Sequence, residues 1–219
     1  MKLAHIIAII VVILIGGIYA LVRHRKEQKE QKEQKEQKEQ KEQKEQNEQK
    51  ELDELINNPE SLYKAIANGD EKLVRSLLKH NDIEINKVDE SGWTPLYAAC
   101  TYGYEGVMRV LLEHKDIEIN KVDNNGWTPL YSACTYGHEG AVRVLLEHKD
   151  IEINKADNLE WTPLHTACTY DHEGVVKLLL KHKDIEINKA DNDEDTPLSL
   201  AERNNHNEIV RLLEAKGAK

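Results

Sequence analysis

The chain has 219 residues, with 30 Lys/Arg against 40 Asp/Glu and a formal net charge of −10. Residues 1–50 take 11 of the basic and 8 of the acidic residues, which leaves 19 and 32 for the rest, a net of −13. A folded region this acidic lacks the basic footprint that phosphate backbones select, which argues against nucleic acid and makes a partner with a basic surface the easier one electrostatically.

Residues 3–22, LAHIIAIIVVILIGGIYALV, hold one titratable group, His5. At 1.5 Å per residue the stretch predicts a helix about 30 Å long, matched to a bilayer core. Tyr19 sits where an interfacial aromatic belongs, and His5, one turn from the other end, can reach the interface. Arg23, His24, Arg25 and Lys26 follow as in a stop-transfer sequence. A cleaved signal peptide is the rival reading, favoured by Lys2 and the small residues Gly16, Gly17 and Ala20. Against it, the apolar run exceeds a signal peptide's apolar region, and Ile18 spoils the small-x-small cleavage pattern. The expectation is an uncleaved single-pass membrane anchor, with the flanking basic residues keeping the rest of the chain on the cytoplasmic side.

Residues 23–54 form a charged spacer. From Lys26 to Gln49 it runs as seven Lys-Glu-Gln triplets and then Asn47-Glu48-Gln49. All three common residue types favour helix, but no heptad supplies an apolar seam. A solvated, partly helical tether is expected.

From residue 55 onward the chain repeats at a period of 34. The units open Trp93-Thr94-Pro95-Leu96, Trp127-Thr128-Pro129-Leu130, Trp161-Thr162-Pro163-Leu164 and Asp195-Thr196-Pro197-Leu198. A degenerate unit precedes them, with Leu62, Tyr63, Ala65, Gly69, Val74 and Leu77 in register. Within each unit Thr is a good helix N-cap and Pro suits the first helical position. Gly103 predicts a left-handed end to that helix, and Asp171 and Asn205 tolerate the same conformation in later units. A second helix follows, with Val107, Val110, Leu111 and His114 on adjoining turns. Then comes an extended turn in which Ile117 and Ile119 can face inward. No unit buries both helices alone, so stacking must complete the core.

Candidate chemistry is sparse. Cys100, Cys134 and Cys168 recur at one repeat position, roughly 10 Å apart across packed helices. That is too far for disulfides, so they read as small buried hydrophobes. His80, His114, His148 and His182 recur near the end of each second helix, where a histidine suits the negative helix terminus. Their spacing is too wide for one zinc. No Cys-x-x-Cys, His-Glu-x-x-His or phosphate-loop motif occurs. We expect no enzyme, no metal, no cofactor and no small-molecule substrate.

These repeats resemble the ankyrin repeat. The match runs from about residue 55 to 219 and rests on Thr-Pro-Leu-x-x-Ala, Gly137-His138-Glu139-Gly140, the Leu-Leu pair, and the Asp-Ile-x-Ile-Asn turn recurring in phase. Three departures stand out: a period of 34 rather than 33, a histidine after Thr-Pro-Leu only at His165, and Asp171 and Asn205 in place of glycine. The resemblance implies an all-α ankyrin repeat solenoid of five units, 55–88, 89–122, 123–156, 157–190 and 191–219. It also implies that a protein partner meets the turn tips and the inner face of the first helices. Carried onto this chain, those positions are Glu90, Asn124 and Asn125 at the tips, the row Trp93, Trp127 and Trp161, the row Thr101, Thr135 and Thr169, and the row Tyr102, Tyr136 and Tyr170. The tryptophans can equally pack against the neighbouring turn and stiffen the array. Tyr97, Tyr131 and His165 fall at the family's turn-supporting position. The expected function is a membrane-tethered protein-interaction module; a secreted ankyrin-repeat effector and an inert spacer are the alternatives.

Overall fold

In the computed structural model the described residues are 2–56, 58, 60–80 and 83–219, with side chains 2–13, 15, 18–20, 22, 27 and 30 outside the description. The chain forms two compact units, Met1–Glu54 and Leu55–Lys219.

The first unit is one helix, α1 (Lys2–Ile56). The triplet repeat places a lysine four residues before a glutamate in every triplet, and the resulting pairs run from Lys29–Glu33 at 3.6 Å to Lys44–Glu48 at 3.5 Å. Each exposed pair contributes only a few tenths of a kcal/mol, but the row is unbroken. The spacer is therefore helical throughout rather than in part. The expected membrane anchor gains no support here. Among the described residues no helix is long and apolar enough to cross a membrane. Of the side chains in 3–22 only those at Leu14, Gly16, Gly17 and Leu21 are described, so His5 and Tyr19 lie outside the description.

The second unit stacks five helix pairs: α2 (Ser61–Ala67) with α3 (Glu71–Leu77), α4 (Pro95–Tyr102) with α5 (Glu105–Leu112), α6 (Pro129–Thr135) with α7 (Glu139–Leu146), α8 (Pro163–Thr169) with α9 (Glu173–Leu179), and α10 (Pro197–Arg203) with α11 (Asn207–Ala215). First helices pack on first helices and second on second, giving two layers. Each Thr-Pro start works as expected. Thr94, Thr128, Thr162 and Thr196 are extended, and their hydroxyls accept the N–H groups of Tyr97, Tyr131, His165 and Ser199. The left-handed ends also occur, at Gly103 and Gly137 (both φ 70), Asp171 (φ 61) and Asn205 (φ 60).

Between the layers Leu96, Leu111, Leu130, Leu145, Leu164 and Leu179 are fully buried. Cys100, Cys134 and Cys168 are free and buried among them, and burial pushes their thiols well above the usual range. In the turns Ile119 is buried and Ile117 half-buried.

Two devices hold unit to unit. Nδ2 of Asn86, Asn120 and Asn154 donates to the carbonyl of Asp116, Asp150 and Asp184 in the next unit, each at 2.6 Å. The same side chains accept, through Oδ1, the N–H of Glu118, Glu152 and Glu186 at 3.0 Å. Meanwhile the carboxylates of Glu71, Glu105 and Glu139 lie over Gly106, Gly140 and Gly174 in the first turn of the next second helix, where negative charge is favourable. The histidines sit just past the second helices, as their spacing implies. Nδ1 of His114, His148 and His182 accepts the N–H of Asp116, Asp150 and Asp184, so these side chains close the turn after the helix.

Candidate functional site

The turn before each first helix is a finger closed by one aspartate. Oδ1 of Asp89 accepts the N–H groups of Ser91 and Trp93, both at 2.9 Å, while the Asp89 N–H donates to the carbonyl of Trp93. Asp123, Asp157 and Asp191 repeat the arrangement. Adjacent fingers are joined by one backbone bond each: Asn124 N–H to Ser91 O, Asn158 N–H to Asn125 O, and Asn192 N–H to Leu159 O. At the tips Glu90 is exposed and its carbonyl accepts from Asn124 Nδ2, whereas Asn125 Nδ2 is held by Asp123.

The three predicted rows differ once placed. Trp93, Trp127 and Trp161 are half-buried. Their rings lie over Tyr97, Tyr131 and His165 at centroid distances of 5.0, 4.8 and 6.2 Å, and Trp127 Nε1 donates to Asp157 Oδ2 at 3.2 Å. The threonine row is hydrogen-bonded internally. Thr101 and Thr135 donate to the carbonyls of Tyr97 and Tyr131, and their oxygens lie 2.8 and 2.9 Å from the hydroxyls of Ser132 and Thr166; Thr169 donates to His165 O. Tyr102, Tyr136 and Tyr170 stand out, 46%, 51% and 57% exposed, and none of their hydroxyls makes a hydrogen bond among the described residues. They are backed by Tyr104, His138 and His172, whose rings lie 5.6–6.4 Å away. Nε2 of His138 and His172 sits 2.9 Å from the carbonyls of Thr101 and Thr135, which fixes the backing rings.

Beneath the rows Tyr97 and Tyr131 are buried. Burial first, and then the carboxylates of Asp123 and Asp157, push their phenols well above the usual range. His165 is fully buried. Its Nδ1 accepts the N–H of Thr162 at 3.0 Å, leaving Nε2 to donate to the carbonyl of Asp195 at 3.2 Å. Burial holds this imidazole below its ordinary range. The row of tryptophans ends at Asp195, whose carboxyl is held low by Arg203 at 2.7 Å and by the Ser199 hydroxyl at 3.0 Å.

Fingers and first helices enclose a groove of about 340 Å³ between the third and fourth units, lined by Trp127, Tyr131, Leu159, Trp161 and Tyr170 among others. A matching groove of about 370 Å³ between the first and second units is lined by Tyr63, Trp93 and Tyr102. Leu159, 63% exposed, was not singled out from the sequence. Its signal is one apolar residue in a column that otherwise reads Ser91, Asn125 and Asp193. The arrangement offers aromatic faces and a few donors; among the described residues no three His, Cys, Asp or Glu side chains are grouped to hold a metal.

A family model described as "Ankyrin repeats (3 copies)" matches residues 41–123, 62–157 and 152–219. No curated protein matches the chain.

Proposed function

Because the chain belongs to the ankyrin repeat family, whose members generally mediate protein–protein interaction, we propose that residues 55–219 hold a protein partner against the groove formed by the fingers and first helices. The observation that carries the reading is the row Tyr102, Tyr136 and Tyr170. These are large exposed aromatics with free hydroxyls, at equivalent places in successive units and held on backing rings. Aromatic side chains that need no further ordering are effective contact residues.

The apolar run at 3–22 supports a second element of the reading, a membrane tether with the array on the cytoplasmic side. Tethering would concentrate the array near membrane-bound partners without any new contact.

The test of the first element is proximity labelling with the full chain and with Tyr102→Ser/Tyr136→Ser/Tyr170→Ser. The variant should keep the wild-type thermal midpoint and lose the wild-type partners; an unchanged labelling pattern refutes the assignment. For the tether, the full chain should stay in alkaline-washed membranes and a chain lacking 3–22 should not. A mature chain shorter by about 20 residues at its amino terminus, as signal cleavage would leave, replaces the tether with the secreted reading.

A further inference from the structure

We propose that the groove takes an extended, proline-rich segment of a partner protein in the polyproline II conformation, about nine residues long and basic at its flanks. The proposal rests on the interaction reading above and names the occupant.

Spacing is the first argument. Each finger is two chain segments wide and is bonded through its backbone to the next. Neighbouring hydrogen-bonded segments lie about 4.8 Å apart, so equivalent residues recur about every 9.5 Å. A polyproline II helix advances about 3.1 Å per residue with three residues per turn, or about 9.3 Å per turn. Every third residue of such a segment would therefore meet an equivalent Trp–Tyr step, and three steps call for about nine residues. A β-strand presents one face every two residues, about 6.7 Å, and falls out of step at once. An α-helix comes back into step only after seven residues, about 10.5 Å, and so drifts by about 1 Å at each step.

Hydrogen-bonding capacity is the second argument. Several of the groove's acceptors are already engaged: the hydroxyls of Thr101 and Thr135 with those of Ser132 and Thr166, and Oδ1 of Asp123 and Asp157 by finger N–H groups. Donors are left over. The indole N–H groups of Trp93 and Trp161 and the hydroxyls of Tyr102, Tyr136 and Tyr170 make no hydrogen bond among the described residues. These donors suit a segment whose backbone carbonyls are all free to accept, as they are in polyproline II, which has no internal hydrogen bonds, and as they are not in an α-helix.

Charge fixes the flanks. None of the finger segments 89–92, 123–126, 157–160 and 191–194 contains a basic residue. Glu90 near one end and Asp193 and Glu194 at the other are exposed, whereas Glu160 between them is paired with Lys189 at 3.1 Å. Arginine or lysine at each end of the segment would meet these unpaired carboxylates.

The test uses the full chain in detergent micelles and three fluorescently labelled peptides. One repeats Pro-Leu-Ala three times between terminal arginines. The second has the same residues with the prolines moved out of period three. The third carries terminal glutamates instead of arginines. Anisotropy should show the first binding at least tenfold more tightly than either of the others. Tyr136→Ala should weaken it at least fivefold; Tyr136→Phe, which keeps the ring, should weaken it less. Equal binding of the period-broken peptide, or no binding at all, overturns the proposal. If the peptides fail while the triple tyrosine variant still loses its labelled partners, the groove reading stands and only the polyproline assignment falls.

Discussion

Trp127 reaches across a unit boundary, where its indole N–H donates to Oδ2 of Asp157 at 3.2 Å while Oδ1 of the same carboxylate holds the N–H groups of Leu159 and Trp161 at 2.8 and 2.9 Å. One carboxylate thus closes its own finger and ties it to the preceding unit. The tryptophan at this step has a structural duty that the indole groups of Trp93 and Trp161 do not share.

Trp127→Phe should therefore lower stability by about 1.5–3 kcal/mol, the range for losing a hydrogen bond to a charged acceptor. For a domain of this size that is roughly 3–12 °C in thermal midpoint. Trp161→Phe, which breaks no hydrogen bond, should cost clearly less. Equal midpoints for the two variants would remove the bridge from the account.

Glu194 occupies a left-handed position (φ 64) that Gly92 and Gly126 fill in earlier units. A side chain there costs about 1–2 kcal/mol, partly offset by the greater freedom of glycine in the unfolded chain. Glu194→Gly should stabilise the array by about 0.5–1 kcal/mol. Gly126→Ala should destabilise it, because φ is 84 and the new methyl would lie 2.7 Å from Asn158 Oδ1. Chemical denaturation of both variants checks the signs.

On the second helices Arg75 pairs with Glu113 at 2.9 Å and Arg109 with Glu147 at 3.5 Å. The next step in register sets Arg143 against Lys181. Lys181→Glu should complete the row and add about 0.5 kcal/mol, as expected of an exposed pair. The gain should vanish in about 1 M salt, where the screening length falls to about 3 Å. A gain that survives the salt would point to packing instead.

Burial lowers the affinity of His165 for a proton below that of an ordinary imidazole, pKa 6.5. Its Nδ1 already accepts the Thr162 N–H, so protonation would break that bond. The unfolded chain then binds more protons than the folded one below about pH 6.5. Stability should be fully present above that value and fall as the solution is acidified, with a limiting slope of about 1.4 kcal/mol per pH unit. His165→Tyr, the residue at the equivalent Tyr97 and Tyr131, should flatten the dependence between pH 7.5 and 5.5. Parallel curves for variant and wild type would show that His165 does not contribute it.

Much of the fold was legible in the chain because it is local. Thr94 and Pro95 start a helix with groups three residues apart, and Gly103 ends it through its own backbone angles. The burial of Cys100, Cys134 and Cys168 follows from apolar spacing within one helix. His114, His148 and His182 lie just past the second helices, and the structure adds what each accepts there, the turn N–H two residues on.

By itself, then, the sequence determined the repeat, its caps and turns, and the all-helical class. All of these depend on residues a few positions apart. The tertiary structure alone decided which members of the repeated columns have free polar groups. Thr101 meets Ser132, His138 meets the Thr101 carbonyl, and Trp127 meets Asp157, each across 30–37 residues of chain. Whether a hydroxyl or indole is engaged or left for a partner depends on how one unit seats on the next. That seating is set by the buried leucine layers and the asparagine clamps acting together. For that reason the threonine row closed on itself while the tyrosine row stayed open.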